Sequence, residues 1–262
     1  MQQKRLNDDY IVKEYLKGRT QKAIAKELNT YNTSIRRVLL RNNIKPRGNH
    51  IVQRIVKHNF LQNLKDPSVQ YWLGLLATDG CITKNYSVIL DLQKKDRHVL
   101  EDYIKFSGYP LKLRTTTHKK TGIKSHRVDF SNKELVEFLE SIGIARRKSL
   151  DMELKIPITF AMLRGIIDGD GSFSRINKTR ARLNITTGSK KFAQQVFNFL
   201  KENNFNPTLT STISNRKNRY YSVNMFRQKE LSLLYDLLYS DAKYFLKRKY
   251  LKIGSLLGKP SK

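Results

Sequence analysis

The stretch "LRGIIDGDGSF", residues 163–173, decides how this chain is read. An apolar run with helical spacing ends by delivering Asp168, Gly169, Asp170 and Gly171 in succession. A buried helix does not ordinarily finish on two carboxylates, because a buried charge is costly unless something pairs with it. The ending is stranger still in a chain with 51 Lys and Arg against 22 Asp and Glu, a net charge of +29 over 262 residues.

An earlier stretch repeats the pattern. "YWLGLLATDG" (71–80) lines up with "MLRGIIDGDG" (162–171), each behind a helix-start signal, Asp66-Pro67 in one case and Pro157 in the other. The correspondence continues downstream. "LDLQKKDRHVLEDYIKF" matches "LNITTGSKKFAQQVFNFL", and the hairpin pattern "LKLRTTTHKKTGIKSHRVDF" matches "TLTSTISNRKNRYYSVNMF". "KEL" opens a helix at 133–135 and again at 229–231, and "RRKSL" (146–150) matches "KRKYL" (247–251). The order helix, two strands, helix, two strands, helix is run twice, which is an internal repeat. The expected fold class is α+β: a pseudo-two-fold, duplicated αββαββα core with halves at 67–150 and 151–262.

The two repeat helices carry small residues one turn apart, Gly74 and Thr78 in one, Gly165 and Gly169 in the other. Small residues at that spacing let two helix backbones approach closely. Packed side by side, the helices bring Asp79 and Asp170 out together at one end, and Gly80 and Gly171 turn each chain into a strand. Two carboxylates forced together repel and raise one another's pKa, so the arrangement calls for a cation. Mg²⁺ takes oxygen ligands and keeps waters and substrate phosphates as the rest of its shell. Carboxylate-held metals activate water and stabilise the leaving oxygen in phosphodiester hydrolysis. A basic surface that attracts a polyanion and a small acidic centre that holds metals then belong to one design.

These residues carry a family resemblance. "LLATDG" and "LRGIIDGDG" resemble the two signature motifs of the LAGLIDADG homing endonucleases, and the repeated order over 67–257 resembles their single-chain, two-motif members. Ala77 stands where the family usually has its first acidic residue, while Asp168 fills that place in the second motif. The position is mainly structural in the family; Asp79 and Asp170 fill the metal-binding place. The resemblance implies saddle-shaped antiparallel sheets. It also implies a site-specific, metal-dependent double-strand DNA endonuclease that uses Mg²⁺ or Mn²⁺, acts as a monomer, and devotes one motif Asp to each strand. It further implies that the carbonyls of Thr78 and Gly169 help bind metal. Gln93, with Thr186 as its repeat mate, orders active-site water; Arg97 and Lys190 support the scissile phosphates; Lys148 and Lys249 approach the site from the last helix region. Two other roles stay open: a non-cleaving transcription regulator, since such cores with helix-turn-helix modules also occur there, and a maturase that binds intron RNA. Retention of both Asp79 and Asp170 argues against the regulator.

Strand alternation supplies a reading surface. In "SVILDLQ" (87–93), Val88, Leu90 and Leu92 face the core and Ser87, Ile89, Asp91 and Gln93 face out. In the repeat, Ala181, Leu183 and Ile185 go in, while Arg180, Arg182, Asn184 and Thr186 come out. In "LKLRTTTH" (111–118), Leu111 and Leu113 go in, and Lys112, Arg114, Thr116 and His118 come out. In "PTLTSTIS" (207–214), Thr208, Thr210, Thr212 and Ser214 form the outer row. Arg, Asn, Asp and Thr suit base edges, and a two-stranded ribbon fits a major groove. Two non-identical halves predict an asymmetric double-stranded DNA target longer than one helical turn of about 10 bp.

Residues 1–45 read as a separate, small all-α region of three short helices. Ile11, Val12, Tyr15 and Leu16 line one face, and Gly18 stops the first helix. Thr20 is the expected N-cap of the second, which carries Ala23, Ile24, Ala25 and Leu28. Ile35, Val38 and Leu39 point inward and Arg36, Arg37 and Arg41 outward in the third. The pair resembles a helix-turn-helix whose second helix could enter a major groove. Residues 46–66 are expected to be a basic linker.

Several classes are excluded. "DGDGSFSRINKT" (168–179) has Phe173 and Thr179 where a calcium loop needs Gly and Glu. There is neither a dinucleotide fingerprint nor a phosphate loop, and the five His show no zinc spacing. His118 and His126 are expected to flank a hairpin and contact phosphate, and Cys81 is read as packing. No apolar run approaches a membrane span and the first residues carry no apolar signal region. The expectation is an intracellular protein, located with its target genome, with no membrane partner.

Overall fold

The computed structural model describes residues 7–46, 60–117, 122–146, 148–177, 180–214 and 218–259. His50, His58, His118, Thr179 and most of the expected linker lie outside them, as does the side chain of Lys148. The chain forms two compact units, Met1–Lys57 and His58–Lys262.

The first unit holds α1 (Asp8–Leu16), α2 (Gln21–Glu27) and α3 (Asn32–Arg41). Asn7 caps α1 by accepting from the Tyr10 N–H, and Thr20 caps α2 by accepting from the Ala23 N–H at 3.0 Å. Ile11, Tyr15, Ile24, Ala25, Ile35, Val38 and Leu39 form the core. Leu16, expected inside, is 68% exposed, because the helix ends there and the chain turns at Gly18 with φ of 101°.

The second unit runs α4 (Pro67–Thr78), β1 (Gly80–Ile82), β2 (Ser87–Gln93), α5 (Arg97–Ser107), β3 (Arg114–Thr117), β4 (Lys124–Ser131), α6 (Lys133–Ser141) and α7 (Lys148–Asp151). The second pass is α8 (Phe160–Asp170), β5 (Gly171–Arg175), β6 (Ala181–Thr187), α9 (Lys190–Glu202), β7 (Thr208–Ile213), β8 (Arg219–Met225), α10 (Gln228–Tyr239) and α11 (Lys247–Leu257). Each pass makes one antiparallel four-stranded sheet, in the orders β1-β2-β4-β3 and β5-β6-β8-β7. The expected αββαββα duplication is present. Val88, Leu90, Leu92, Ala181, Leu183 and Ile185 are buried as their alternation requires.

α4 is buried on every side from Val69 to Ala77, as befits a helix shared between two halves. Asp66 caps it from the Ser68 N–H, with Pro67 in the first turn. α8 begins at Phe160 rather than at Pro157, because the Thr159 hydroxyl accepts from the Met162 N–H at 3.2 Å and fixes the cap there. The helices meet backbone to backbone. A β-carbon on Gly165 would meet the Tyr71 carbonyl and come within 2.7 Å of the Leu75 nitrogen; one on Gly74 would meet the Met162 carbonyl.

Candidate functional site

At the far ends of α4 and α8 the packing continues through Gly169, whose α-carbon lies against the Thr78 side chain. Thr78 turns its hydroxyl back onto the Gly74 and Leu75 carbonyls, at 3.2 and 3.0 Å. Asp79 is the C-cap of α4 and half-buried; Asp170 is the last residue of α8 and exposed. The two residues that follow the touching pair are therefore the two motif carboxylates. Both act electrostatically on the Lys249 ammonium.

Lys249, from the first turn of α11, is 9% exposed. Its Nζ donates to the carbonyls of Ile167, Gly169 and Gly171 at 2.7, 3.0 and 2.7 Å. They lie at the α8 C-terminus, where a cation is favoured, although the Ile167 carbonyl also accepts from the Gly171 N–H. Burial lowers its pKa to about 8, against the opposing pull of Asp168, Asp79 and Asp170. The Gly169 carbonyl expected on a metal thus already accepts from Lys249. Beside it, Arg248 grips the buried Asp96 carboxylate at 3.0 and 2.9 Å and ties α11 to the first half.

Asp168 is fully buried. Its Oδ2 accepts from the Tyr71 hydroxyl at 3.0 Å and from the Leu246 N–H at 2.8 Å. Burial raises its pKa to about 6. Arg164 lies over the Tyr71 ring and donates to the Tyr244 and Leu238 carbonyls at 3.0 and 2.6 Å. By the repeat, the positions matching Asp168, Tyr71 and Arg164 in the other copy are Ala77, Met162 and Leu73, all buried and apolar. This polar cluster spans the seam between the halves and is apolar at the repeat-related positions.

The remaining expected residues are distributed as follows. Gln93 is exposed at the end of β2, in register with Ser125 and through it with Thr116. Arg97 and Lys190 both open the helix after the second strand of their half and are exposed; Arg97 is paired with Glu101 at 2.7 Å. The ladders change one repeat mate. β1 starts with Gly80 opposite Leu90, and β5 starts with Gly171 opposite Ile185. Counting one residue on, Asp91 rather than Gln93 takes the level of Thr186.

Asp91, Arg114, Thr208, Thr210 and Thr212 are exposed on the sheet faces turned away from the core. Asn184 and Arg182 are half-buried there, and Thr116 is half-buried and bonded to Ser125 at 2.6 Å. Lys112 and Arg180 are exposed but precede their strands, since β3 begins only at Arg114 and β6 at Ala181. His126 is corrected: it is 5% exposed on the core side of β4, beside Thr115 at 3.3 Å, and cannot reach a phosphate. Cys81 is corrected too: it is exposed on β1, on the face of Ile89 and Asp91. The outer rows of the central strands, Ser125, Arg127 and Asp129 on β4 and Ser222 and Asn224 on β8, were missed. The alternation in "KSHRVDF" (124–130) carried that signal. In the first unit Arg36 and Arg37 are exposed, whereas Arg41 is held by Asp8 of α1.

Residues 158–245 match the family model of the LAGLIDADG-like domain. The homing endonuclease I-WcaI bound to its DNA recognition sequence is similar at 17% identity, over 76% of this chain and 96% of that one, with a TM-score of 0.49. The LAGLIDADG homing endonuclease I-GzeII in complex with its DNA target is similar at 11% identity, over 73% and 88%, with a TM-score of 0.50. The N-terminal LAGLIDADG domain of DUF199/WhiA is similar at 13% identity, over 71% and 89%, with a TM-score of 0.45. No curated protein matches the chain.

Proposed function

We propose, from the match of residues 158–245 to the LAGLIDADG-like domain and from the repeat of that pattern in the first half, that the chain is a LAGLIDADG protein and a site-specific, metal-dependent double-strand DNA endonuclease of the homing type. One observation carries the reading: the helix pair that joins the halves ends on Asp79 and Asp170, with Thr78 against Gly169 just before them. A net charge of +29 favours a nucleic-acid partner, and two polar sheet faces offer ribbons of major-groove size.

The donor set fits a hard cation. Asp79, Asp170 and the Thr78 carbonyl are oxygen donors, while the Gly169 carbonyl is shared with the Lys249 ammonium at 3.0 Å. Such a sparse set suits Mg²⁺ or Mn²⁺ completed by water and phosphate oxygens, not a structural zinc. When bound, the ion supplies an acidified water and charge neutralisation at the phosphate. The chain's own residues do the rest. Each motif Asp serves one strand, Lys249 holds the α8 end that presents Asp170, and Arg97 and Lys190 contact the phosphates beside the cut. The chain acts as a monomer, with both half-sites read by one molecule.

The test is cleavage of the DNA flanking the gene, with the insertion removed, in Mg²⁺. Specific double-strand cutting by wild type and none by Asp79→Asn or Asp170→Asn is the expected result. Tight binding without cutting would replace the proposal with a non-cleaving regulator or an intron-RNA maturase, and a splicing assay would separate those.

A further inference from the structure

Row for row, the two sheet faces differ in chemistry. Level with the motif carboxylates, the first half sets Asp91, Arg127 and Arg114 side by side across β2, β4 and β3. The second half sets Thr186, Ser222 and Thr210 at that level. One row further out, Ile89 and Asp129 face Asn184, Asn224 and Thr208 in the comparison of halves.

These two rows of the second half are neutral and linked, with Arg182 in the row beyond them on β6. The Thr186 hydroxyl donates to Asn184 Oδ1 at 2.7 Å, and Asn184 Nδ2 donates to Asn224 Oδ1 at 2.7 Å. Asn224 Nδ2 in turn donates to the Ser222 carbonyl at 3.3 Å and to Thr210 at 3.4 Å. Asn224, 5% exposed, has both amide hydrogens engaged. Asn184 is less buried and keeps one N–H and one oxygen lone pair, the adjacent donor and acceptor that adenine N7 and N6 call for. The methyl groups of the exposed Thr row suit thymine.

In the first half, Asp129 engages Arg114 at 3.4 Å. Arg127, on the central strand, makes no ion pair among the described residues. A guanidinium fork matches guanine O6 and N7, and the exposed Asp91 beside it is an acceptor suited to cytosine N4.

We propose that the two halves read opposite base-pair classes: a G·C pair recognised by Arg127 in the first half-site, and an A·T pair recognised by Asn184, oriented by Asn224, in the second. The inference rests on the DNA-binding reading above and assigns a base chemistry to each half.

The experiment is selection of random DNA duplexes on the full chain without divalent metal, repeated with variants. Wild type enriches a site with G·C in one half and A·T in the other. Arg127→Ala then loses its guanine preference roughly 10- to 100-fold without touching the other half. Arg127→Lys keeps the charge and overall affinity yet loses the same preference. Asn184→Ala and Asn224→Ala relax one shared A·T position. An enriched site in which these variants relax nothing, relax both halves alike, or relax the opposite base class overturns the inference and leaves DNA binding standing. Failure to enrich any duplex removes the DNA-binding reading, and the inference with it.

Discussion

The Lys249 ammonium lies 3.0 Å from the Gly169 carbonyl oxygen, so a cation from the last helix closes the end of the helix that delivers Asp170. Replacing it with Met leaves three carbonyls, those of Ile167 and Gly171 buried, without that donor while relieving one buried charge. We expect Lys249→Met to lose about 2 kcal/mol in urea denaturation, and metal-dependent cleavage to fall as well. A lysine that merely touched phosphate would leave stability unchanged.

Gly165→Ala should be far more damaging than its chemistry suggests. The new β-carbon meets backbone atoms of Tyr71 and Leu75, which cannot move without separating the halves. A loss of about 3 kcal/mol is expected. Gly254→Ala, in α11, comes closest to the Tyr235 hydroxyl at 3.2 Å, with the Lys259 carbonyl at an ordinary 3.7 Å, and should change stability by less than about 1 kcal/mol. Equal costs for the two variants would mean that the helices do not cross at Gly165.

Asp168 gives a pH signature. Its folded pKa is raised, from 3.8 to about 6. The folded state therefore holds this proton more tightly than the unfolded chain does. Its contribution is fully present below about pH 4 and is lost as pH rises through about 6, by roughly 3 kcal/mol. Stability of wild type minus that of Asp168→Asn should fall across this window and flatten above it. A difference that rises with pH would show that the Tyr71 and Leu246 bonds outweigh burial.

The first unit separates binding from chemistry. Deleting residues 1–45 should weaken DNA binding and reduce its salt dependence while leaving Mg²⁺-dependent nicking intact. Arg36→Ala and Arg37→Ala should each lower the salt slope by about 0.9. Arg41→Ala should do so less, since Arg41 is held by Asp8. An unchanged slope after the deletion would remove the unit from the DNA interface.

Most of the fold was legible because it repeats. Two copies of one pattern give each helix and strand a second witness, and apolar alternation fixed the inward rows at Val88, Leu90 and Leu92 and again at Leu183 and Ile185. The small residues at Gly74 and Gly165 announced the helix crossing for a steric reason that sequence states directly. What escaped depends on contacts between distant segments. Nothing local says that Lys249 is buried while its sequence neighbour Lys247 is exposed. Nothing local pairs Arg248 with Asp96 or Arg41 with Asp8, which are far apart in the chain. The counterpart of Thr186 was misassigned because strand register depends on hairpin geometry, and the two hairpins differ in length.

The buried Asp168 also bears on engineering. A homodimer of two second halves would place each Asp168 opposite Met162 instead of Tyr71, so the buried carboxylate would lose the Tyr71 hydroxyl and keep only the Leu246 N–H of its own half. The first half supplies part of the second half's interior, and the two copies are not interchangeable there. Doubling or excising either half therefore calls for rebuilding the seam, whereas the outer sheet faces carry no such constraint.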